Sequence, residues 1–375
     1  MTPSSNDDPL VPLREEIDSV DRQILELLNR RAKVVLEVAK LKEKEKGSAF
    51  YVPRRERDIY ERLKKESSGE FPNHAVLSVF REIISACRSL ETPLEIAYLG
   101  PPATFHHAAS IQKFGNSATF RPFEHISDVF HAVEKGECHY GVVALENSTE
   151  GVIASTLDNF QRSDLSIYAE TFLDIHHQFL SKSEPEEIVR IYSHGQAFGQ
   201  CRDWLEGRFP NAEYREVSST SHGAELAATE AGSAAIASGL AATMYDIPIL
   251  HANIEDRTQN TTRFVVIGYD AEPPTGRDKT SLIIHLHNRS GALAQALEPF
   301  SGHSINLTHL EARPTKAERW EYLFFIEFEG HREEGHVKEA MEELGDACLR
   351  IKLLGSYPEE DRMTPAPATT EPLVP

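Results

Sequence analysis

At 375 residues, with 40% apolar and 26% charged side chains, the chain is too long for one ordinary core and has the composition of a folded protein of two or three domains. Its 59 acidic residues outnumber 39 basic ones, and the formal charge of −20 argues against nucleic acid or anionic membrane as a partner. Four scattered cysteines (Cys87, Cys138, Cys201, Cys348), 17 histidines without ligand spacing, no Walker loop and no convincing dinucleotide fingerprint give no reason to expect a metal or cofactor.

The polypeptide opens Met1-Thr-Pro-Ser-Ser-Asn-Asp-Asp8, without the basic start and apolar core of a signal peptide, and no apolar run reaches membrane-spanning length. With free thiols implied by the cysteine spacing, a cytoplasmic protein is expected. Residues 8–92 read as an all-helical domain. Leu13, Ile17, Val20, Ile24, Leu27, Leu28, Val34, Val35, Val38 and Leu41 recur mostly at intervals of three and four, and no Gly or Pro intervenes between Leu13 and Lys46. Gly47 stops this long helix, Pro53 opens a second through about Lys65, and Pro72 precedes a third from Ala75 to Leu90. So long a helix cannot bury its apolar stripe within one copy, so a homodimer or higher homo-oligomer is expected.

This region also holds the cations least outnumbered by acids, about 17 basic against 17 acidic residues in 1–92. Arg31 and Lys42 are eleven residues apart, which sets them within about 20° on one helix face. Arg14 lies about 25 Å from Arg31 along the axis and could share a small ligand with it only across an antiparallel dimer. Each of these cations taken alone also suits a solvated helix face.

Glu91-Thr-Pro93 is a linker. From 94 to 270, short β-rich runs (Glu95–Leu99, Tyr140–Ala144, Val189–Tyr192, Ala234–Ala237, Phe264–Ile267) alternate with helical patterns near His107–Phe114, Ile126–Glu134, Ile153–Phe160, Gly199–Phe209 and His222–Ala231, the mark of an α/β domain. A second linker runs from Asp270 to Lys279. Residues 279–358 then read as a compact β-α-β-β-α-β unit: strands Thr280–Leu286, Ile305–Glu311, Tyr322–Glu327 and Cys348–Tyr357, with helices Gly291–Phe300 and His336–Leu344. The Pro-, Thr- and Glu-rich stretch 359–375 is expected to be a disordered tail.

The block Asn260-Thr-Thr-Arg-Phe264 stands directly before the apolar run Val265–Gly268, where turn residues usually open a strand. Its hydroxyls and guanidinium suit a ligand, with Arg263 as a carboxylate clamp and Thr261 or Thr262 as a donor near a leaving group. A polar strand start with Arg263 in an ion pair fits equally. The block resembles the Thr-Arg-Phe signature of prephenate dehydratases, and four upstream segments resemble that family in order: Ala97–Pro101 with Thr104-Phe-His-His107, Glu146-Asn-Ser148 with Gly151, Tyr192-Ser-His194 with Gln196 and Gln200, and Ser219-Thr-Ser221. The resemblance implies loss of carbon dioxide and the ring hydroxyl from prephenate, assisted by Thr262, with Arg263 and Phe264 beside it. It also implies a two-lobed cleft lined by Thr104, Glu146, Asn147, Ser148, Ser193, His194, Gln196, Ser219, Thr220 and Ser221. Ser, Thr and Asn at such places also cap helices and turns.

The helical region resembles the all-helical chorismate mutase of bifunctional P-proteins. The resemblance implies a dianion pocket of Arg14 from the partner chain, Arg31, Lys42, Arg55 and Glu56, with Lys42 beside the ether oxygen of chorismate. Cys87 stands where that family often has Ser, and Glu91 where a Gln donates to the ether oxygen. A carboxylate cannot donate, so Glu91 would have to be protonated to serve as a catalytic group. The C-terminal unit resembles a ferredoxin-like ACT domain through Asn288-Arg-Ser-Gly-Ala-Leu293 and Glu311-Ala-Arg-Pro314, with Ala312 in place of the usual Ser. The resemblance implies phenylalanine as effector, held between paired ACT domains by Gly291, Ala292, Leu293, Asn306, Leu307, Glu311 and Arg313.

The expectation is therefore a bifunctional chorismate mutase–prephenate dehydratase of phenylalanine biosynthesis, with chorismate and prephenate as substrates. A monofunctional dehydratase whose helices only dimerise, and a non-enzymatic two-lobed solute sensor, stand as alternatives.

Overall fold

The computed structural model describes residues 10–42, 51–269, 271–314 and 322–360. The expected extension of the first helix to Lys46, its stop at Gly47 and most of the tail lie outside these. Three helices open the chain: α1 (Leu10–Lys42), α2 (Pro53–Glu66, with proline in its first turn) and α3 (Asn73–Glu91). α1 and α3 run parallel, since Arg31 reaches the Ile83 carbonyl and Lys42 reaches Glu91. No residue of α1 is buried, and Leu13, Ile17, Ile24, Leu27 and Leu41 are 49–64% exposed. An apolar stripe left uncovered over so many turns is a surface for another chain.

The central part comprises β1 (Glu95–Leu99), α4 (Phe105–Phe114), β2 (Thr119–Phe123), α5 (Ile126–Glu134), β3 (Tyr140–Asn147), β4 (Gly151–Val152), α6 (Ala154–Arg162), β5 (Ser166–Asp174), β6 (Gln178–Leu180), β7 (Arg190–Ser193), α7 (Gly195–Gln200), α8 (Arg202–Arg208), β8 (Glu213–Glu216), α9 (Thr220–Thr229), β9 (Ser233–Ala237), α10 (Gly239–Met244), β10 (Ile249–His251) and β11 (Thr261–Gly268). These strands form two sheets. One is ordered β2-β1-β3-β11-β5, with β4 beside β3, and the other β10-β6-β9-β7-β8. The chain leaves the first sheet after β5, builds the whole second sheet, and returns as β11 between β3 and β5. The result is two lobes joined by two crossings, with a cleft between them.

The sequence pattern missed β5, because Glu170 and Thr171 interrupt its apolar residues; both are buried. The helix expected over Gly199–Phe209 is two, broken at Cys201, whose backbone (φ −120°, ψ 20°) leaves the helical region.

The C-terminal unit has the expected β-α-β-β-α-β order: β12 (Asp278–His285), α11 (Ala292–Gly302), β13 (Leu307–Pro314), β14 (Tyr322–Glu329), α12 (Gly335–Ala347) and β15 (Arg350–Pro358), in a sheet ordered β13-β14-β12-β15. It does not stand apart. Ile283, Leu323, Phe325, Leu354 and Tyr357 share a core with Val143, Leu157, Ile167 and Val265 of the first lobe. β15 comes so close to β5 that a Cβ on Gly355 would lie 2.2 Å from the Ile167 carbonyl oxygen, and Gly355 also has φ +147°. Only glycine fits there. The helical region docks through Tyr51, which is fully buried against Phe114, Tyr140 and Tyr168. No helix among the described residues is long and apolar enough to cross a membrane.

Candidate active sites

Successive side chains of a strand point to opposite faces. Asn260, Thr262 and Phe264 therefore share one side of β11 and line a cavity of about 260 Å³ between the two lobes, and Arg263 points away from it. The facing lobe contributes His194, Gln196, Gln200, Ser219 and Thr220. Thr104 caps α4 by accepting from the His107 amide at 3.4 Å, and Ser219 caps α9 by accepting from the His222 amide at 3.0 Å. Two helices, one from each lobe, thus open onto the cavity with their N-terminal residues, an arrangement that favours an anionic ligand.

The hydrogen-bond polarity around Thr262 is fully determined. Asn147 Oδ1 accepts from the amides of Thr149 (3.0 Å) and Glu150 (3.1 Å), which fixes the orientation of its side-chain amide. Nδ2 then donates to Asn260 Oδ1 at 2.7 Å and to Thr262 Oγ1 at 2.8 Å. Because Thr262 accepts from Asn147, its own hydrogen is free to be donated into the cleft. Asn260 is held in turn by Gln200 Oε1, which accepts from it at 3.2 Å and from His177 Nε2 at 2.8 Å.

Asn260, Gln200, His177 and His106 also line this cavity; none has a role assigned from sequence, Gln200 and His106 standing only as members of the resembling segments. Asn260 carried a signal, since it opens the polar block and lies two residues from Thr262 on the same strand face. His106 Nε2 accepts from the Ala144 amide at 3.4 Å, and its ring meets Phe264 edge-on. Burial lowers its pKa to about 4, so the imidazole stays neutral near pH 7 and is a polar wall of the cavity, not a cation.

Five residues expected in the cleft do not line it. Ser193 is fully buried and donates to the Ile236 carbonyl between β7 and β9. Ser221 donates to the Pro102 carbonyl and ties α9 to the other lobe. Ser148 accepts from the Thr261 amide and latches the end of β3 to β11. Glu146 faces His309 of the C-terminal unit. Arg263 is 6% exposed and bound by Glu170 and Glu327, so its guanidinium has no free edge for a substrate carboxylate.

In the helical region, Ile83, Cys87 and Glu91 recur at four-residue spacing along α3, on the face that meets α1. Arg31, Lys42, Cys87 and Glu91 thereby share one seam. Lys42 Nζ donates to Glu91 Oε2 at 3.2 Å, so in this arrangement Glu91 is an acceptor and not the donor required of it. Glu56 is not in that seam. It pairs with Arg88 at 2.5 Å, where burial pushes its carboxyl up against the opposing pull of Arg88. Arg14 and Arg55 are exposed. One chain gathers only part of the expected pocket.

In the C-terminal unit, Gly291 has φ +78° and precedes α11. The strand register sets Arg313 level with Leu323 and His285, and Leu307 level with Phe328 and Thr280. Gly291, Ala292 and Leu293 thus lie at the Glu311–Arg313 end of the sheet, and Asn306 and Leu307 at the other. A single small ligand touching both ends needs two copies of the unit.

Residues 13–92 match the type II chorismate mutase family, 96–272 the prephenate dehydratase family and 280–346 the ACT domain. The chain is 43% identical over 361 residues to a bifunctional chorismate mutase/prephenate dehydratase of Pseudomonas aeruginosa, covering 95% of this chain and 99% of that one. A protein of the same description from Aquifex aeolicus is 45% identical over 355 residues, covering 93% and 98%. Among solved structures, a prephenate dehydratase from Arthrobacter aurescens in complex with L-Phe superposes with a TM-score of 0.67 at 31% identity, over 71% of this chain and 90% of that one.

Proposed function

Since the chain belongs to the family of bifunctional chorismate mutase/prephenate dehydratases, we infer that one polypeptide rearranges chorismate to prephenate in its helical region and converts prephenate to phenylpyruvate in the two-lobed cleft. The observation that carries the second reaction is the hydroxyl of Thr262 at the cavity wall, which accepts from Asn147 and so can donate to a bound substrate. Prephenate loses carbon dioxide and its ring hydroxyl, and aromatisation drives the step. The protein has to assist a poor leaving group and hold a dianion. Thr262 donates to the departing hydroxyl, and the amides at the starts of α4 and α9 receive carboxylate oxygens. A free threonine is a weak acid, so its part is oriented hydrogen bonding and not full ionisation.

The mutase step is pericyclic and needs no nucleophile. It needs chorismate held in its reactive conformer and charge stabilised at the ether oxygen. Arg31 and Lys42 supply cations on one seam, and Arg14 of a second copy completes the pocket. The uncovered face of α1 supports a homodimer. Once the ether oxygen lies between Lys42 and Glu91, their ion pair gives way, and only a protonated Glu91 could donate to that oxygen. Glu91→Gln, whose amide donates at any pH, is then expected to keep its mutase activity at alkaline pH better than the wild type does. A flat wild-type profile beside a slower Glu91→Gln variant would leave Glu91 only orienting Lys42.

The C-terminal unit acts as the regulatory domain, with phenylalanine held between two copies by Gly291–Leu293 of one and Asn306–Leu307 of the other, in the cytoplasm. Following chorismate to phenylpyruvate by absorbance tests both activities at once. Saturating phenylalanine is expected to slow the dehydratase step; an unchanged rate would remove phenylalanine as effector while leaving both reactions in place.

A further inference from the structure

Arg263 and Glu146 are neighbours of the two residues that make the dehydratase donor, Thr262 and Asn147, and both turn their side chains to the C-terminal domain. Arg263 donates to Glu327 of β14 through both terminal nitrogens, at 3.1 and 2.5 Å, and through Nε to Glu170 of β5 at 2.8 Å. Glu170 also accepts from Lys279 of β12 at 3.2 Å. Two cations and two carboxylates, each at most 6% exposed, balance in charge across the boundary between lobe and domain. Glu327 is further held by Tyr357 (2.8 Å), Ser281 (3.2 Å) and Thr308 (2.8 Å), all from the C-terminal domain. Burial opposes its charge, but Arg263 and Lys279 outweigh that and hold its carboxyl down to about 2. His309 Nδ1 lies 3.7 Å from Glu146 Oε2.

The backbone at this place is irregular. In the β11–β3 pairing, Arg263 opposes Glu146 but Phe264 opposes Ala144, so Leu145 is an extra residue in the ladder. A bulge weakens the backbone's own hold on the neighbouring residues. Both members of the pair beside it also meet side chains of the C-terminal domain, Arg263 with Glu327 (as well as Glu170 of its own lobe) and Glu146 with His309. A bidentate fork leaves a guanidinium little freedom to turn.

We propose that Glu327 is a positioning residue for dehydration: its carboxylate fixes Arg263, and through the adjoining peptide fixes the hydroxyl of Thr262, while His309 steadies Asn147 through Glu146. The proposal rests on Thr262 being the dehydratase donor. It makes the C-terminal domain a structural part of the active site. It also links the two functions of that domain, because Thr308 and His309 directly follow Asn306 and Leu307, so an effector that shifts β13 displaces both supports together.

The test uses the full-length protein. Glu327→Gln is expected to lower dehydratase kcat at least tenfold with KM for prephenate within twofold, and to leave mutase turnover on the same preparation unchanged. Glu327→Asp, which keeps the charge on a shorter stem, recovers part of that kcat. Glu327→Gln combined with Lys279→Gln restores charge balance; it is expected to regain the wild-type melting temperature without regaining kcat. Return of kcat along with stability in this double variant would overturn the proposal, as would a Glu327→Gln variant of wild-type kcat. A wild-type protein that leaves prephenate untouched would instead defeat the assignment of Thr262, a separate failure.

Discussion

Thr262→Ala is expected to cut dehydratase turnover by about 10²–10⁴-fold, the range of an oriented proton donor, while mutase turnover on the same protein stays near wild type. The two sites share no side chains, so the losses should not cross over. Removing the γ-methyl but keeping the hydroxyl, as in Thr262→Ser, should retain most of the rate. The sharper test is Asn147→Asp. Its Nδ2 now donates to Thr262 Oγ1 at 2.8 Å and so leaves the threonine hydrogen free. A carboxylate there accepts instead, drawing that hydrogen away from the substrate and also leaving Asn260 Oδ1 without its donor. A loss close to that of Thr262→Ala is expected, measured as kcat for prephenate by the appearance of phenylpyruvate. If Asn147→Asp is nearly silent, the hydroxyl is not directed by the amide.

The second large effect concerns the mutase pocket, which one chain does not complete. Arg14→Ala and Lys42→Ala should each reduce mutase activity by about 10²-fold or more, because each removes a cation opposite developing or fixed negative charge. Mixed and refolded together in equal amounts, the two inactive variants should regain activity. Half of the random dimers contain one of each, and such a dimer has one pocket with both cations, so about a quarter of the wild-type rate is expected. Dehydratase turnover in the same mixture is the internal control for refolding. A mixture no more active than its parts would mean that Arg14 serves its own chain or none.

The physical basis for the exchange is α1. It is 33 residues long, has no buried residue, and carries its apolar stripe on the surface. Burying a large apolar side chain such as leucine contributes roughly 1.5–3 kcal/mol, so leaving a row of them in water would be costly for an isolated chain. A second copy laid antiparallel to the first would cover the stripe and, in the proposed dimer, bring Arg14 toward the partner subunit's Arg31 and Lys42.

Local rules made much of this legible in the sequence. The spacing of three and four along α1, the glycine before α11 and the βαββαβ order follow from periodicity and turn chemistry, which act over a few residues. Thr104 and Ser219 were open to two readings, cap or cleft residue, and each is both; His194 likewise caps a helix and lines the cleft. Strand alternation alone sets Asn260, Thr262 and Phe264 on one face and Arg263 on the other. The sequence pattern opened this strand only at Phe264 and so left Arg263 expected beside Thr262 in the cleft; the strand in fact begins at Thr261, which turns the two side chains apart. What Arg263 meets instead was decided only by the tertiary structure. Glu170 stands 93 residues before it and Glu327 64 residues after, on strands of two different sheets. No local pattern reports such a pairing, and Glu170 even hid its own strand by breaking the apolar run. A buried charge is tolerable only once opposite charges arrive beside it, and folding alone brings them there.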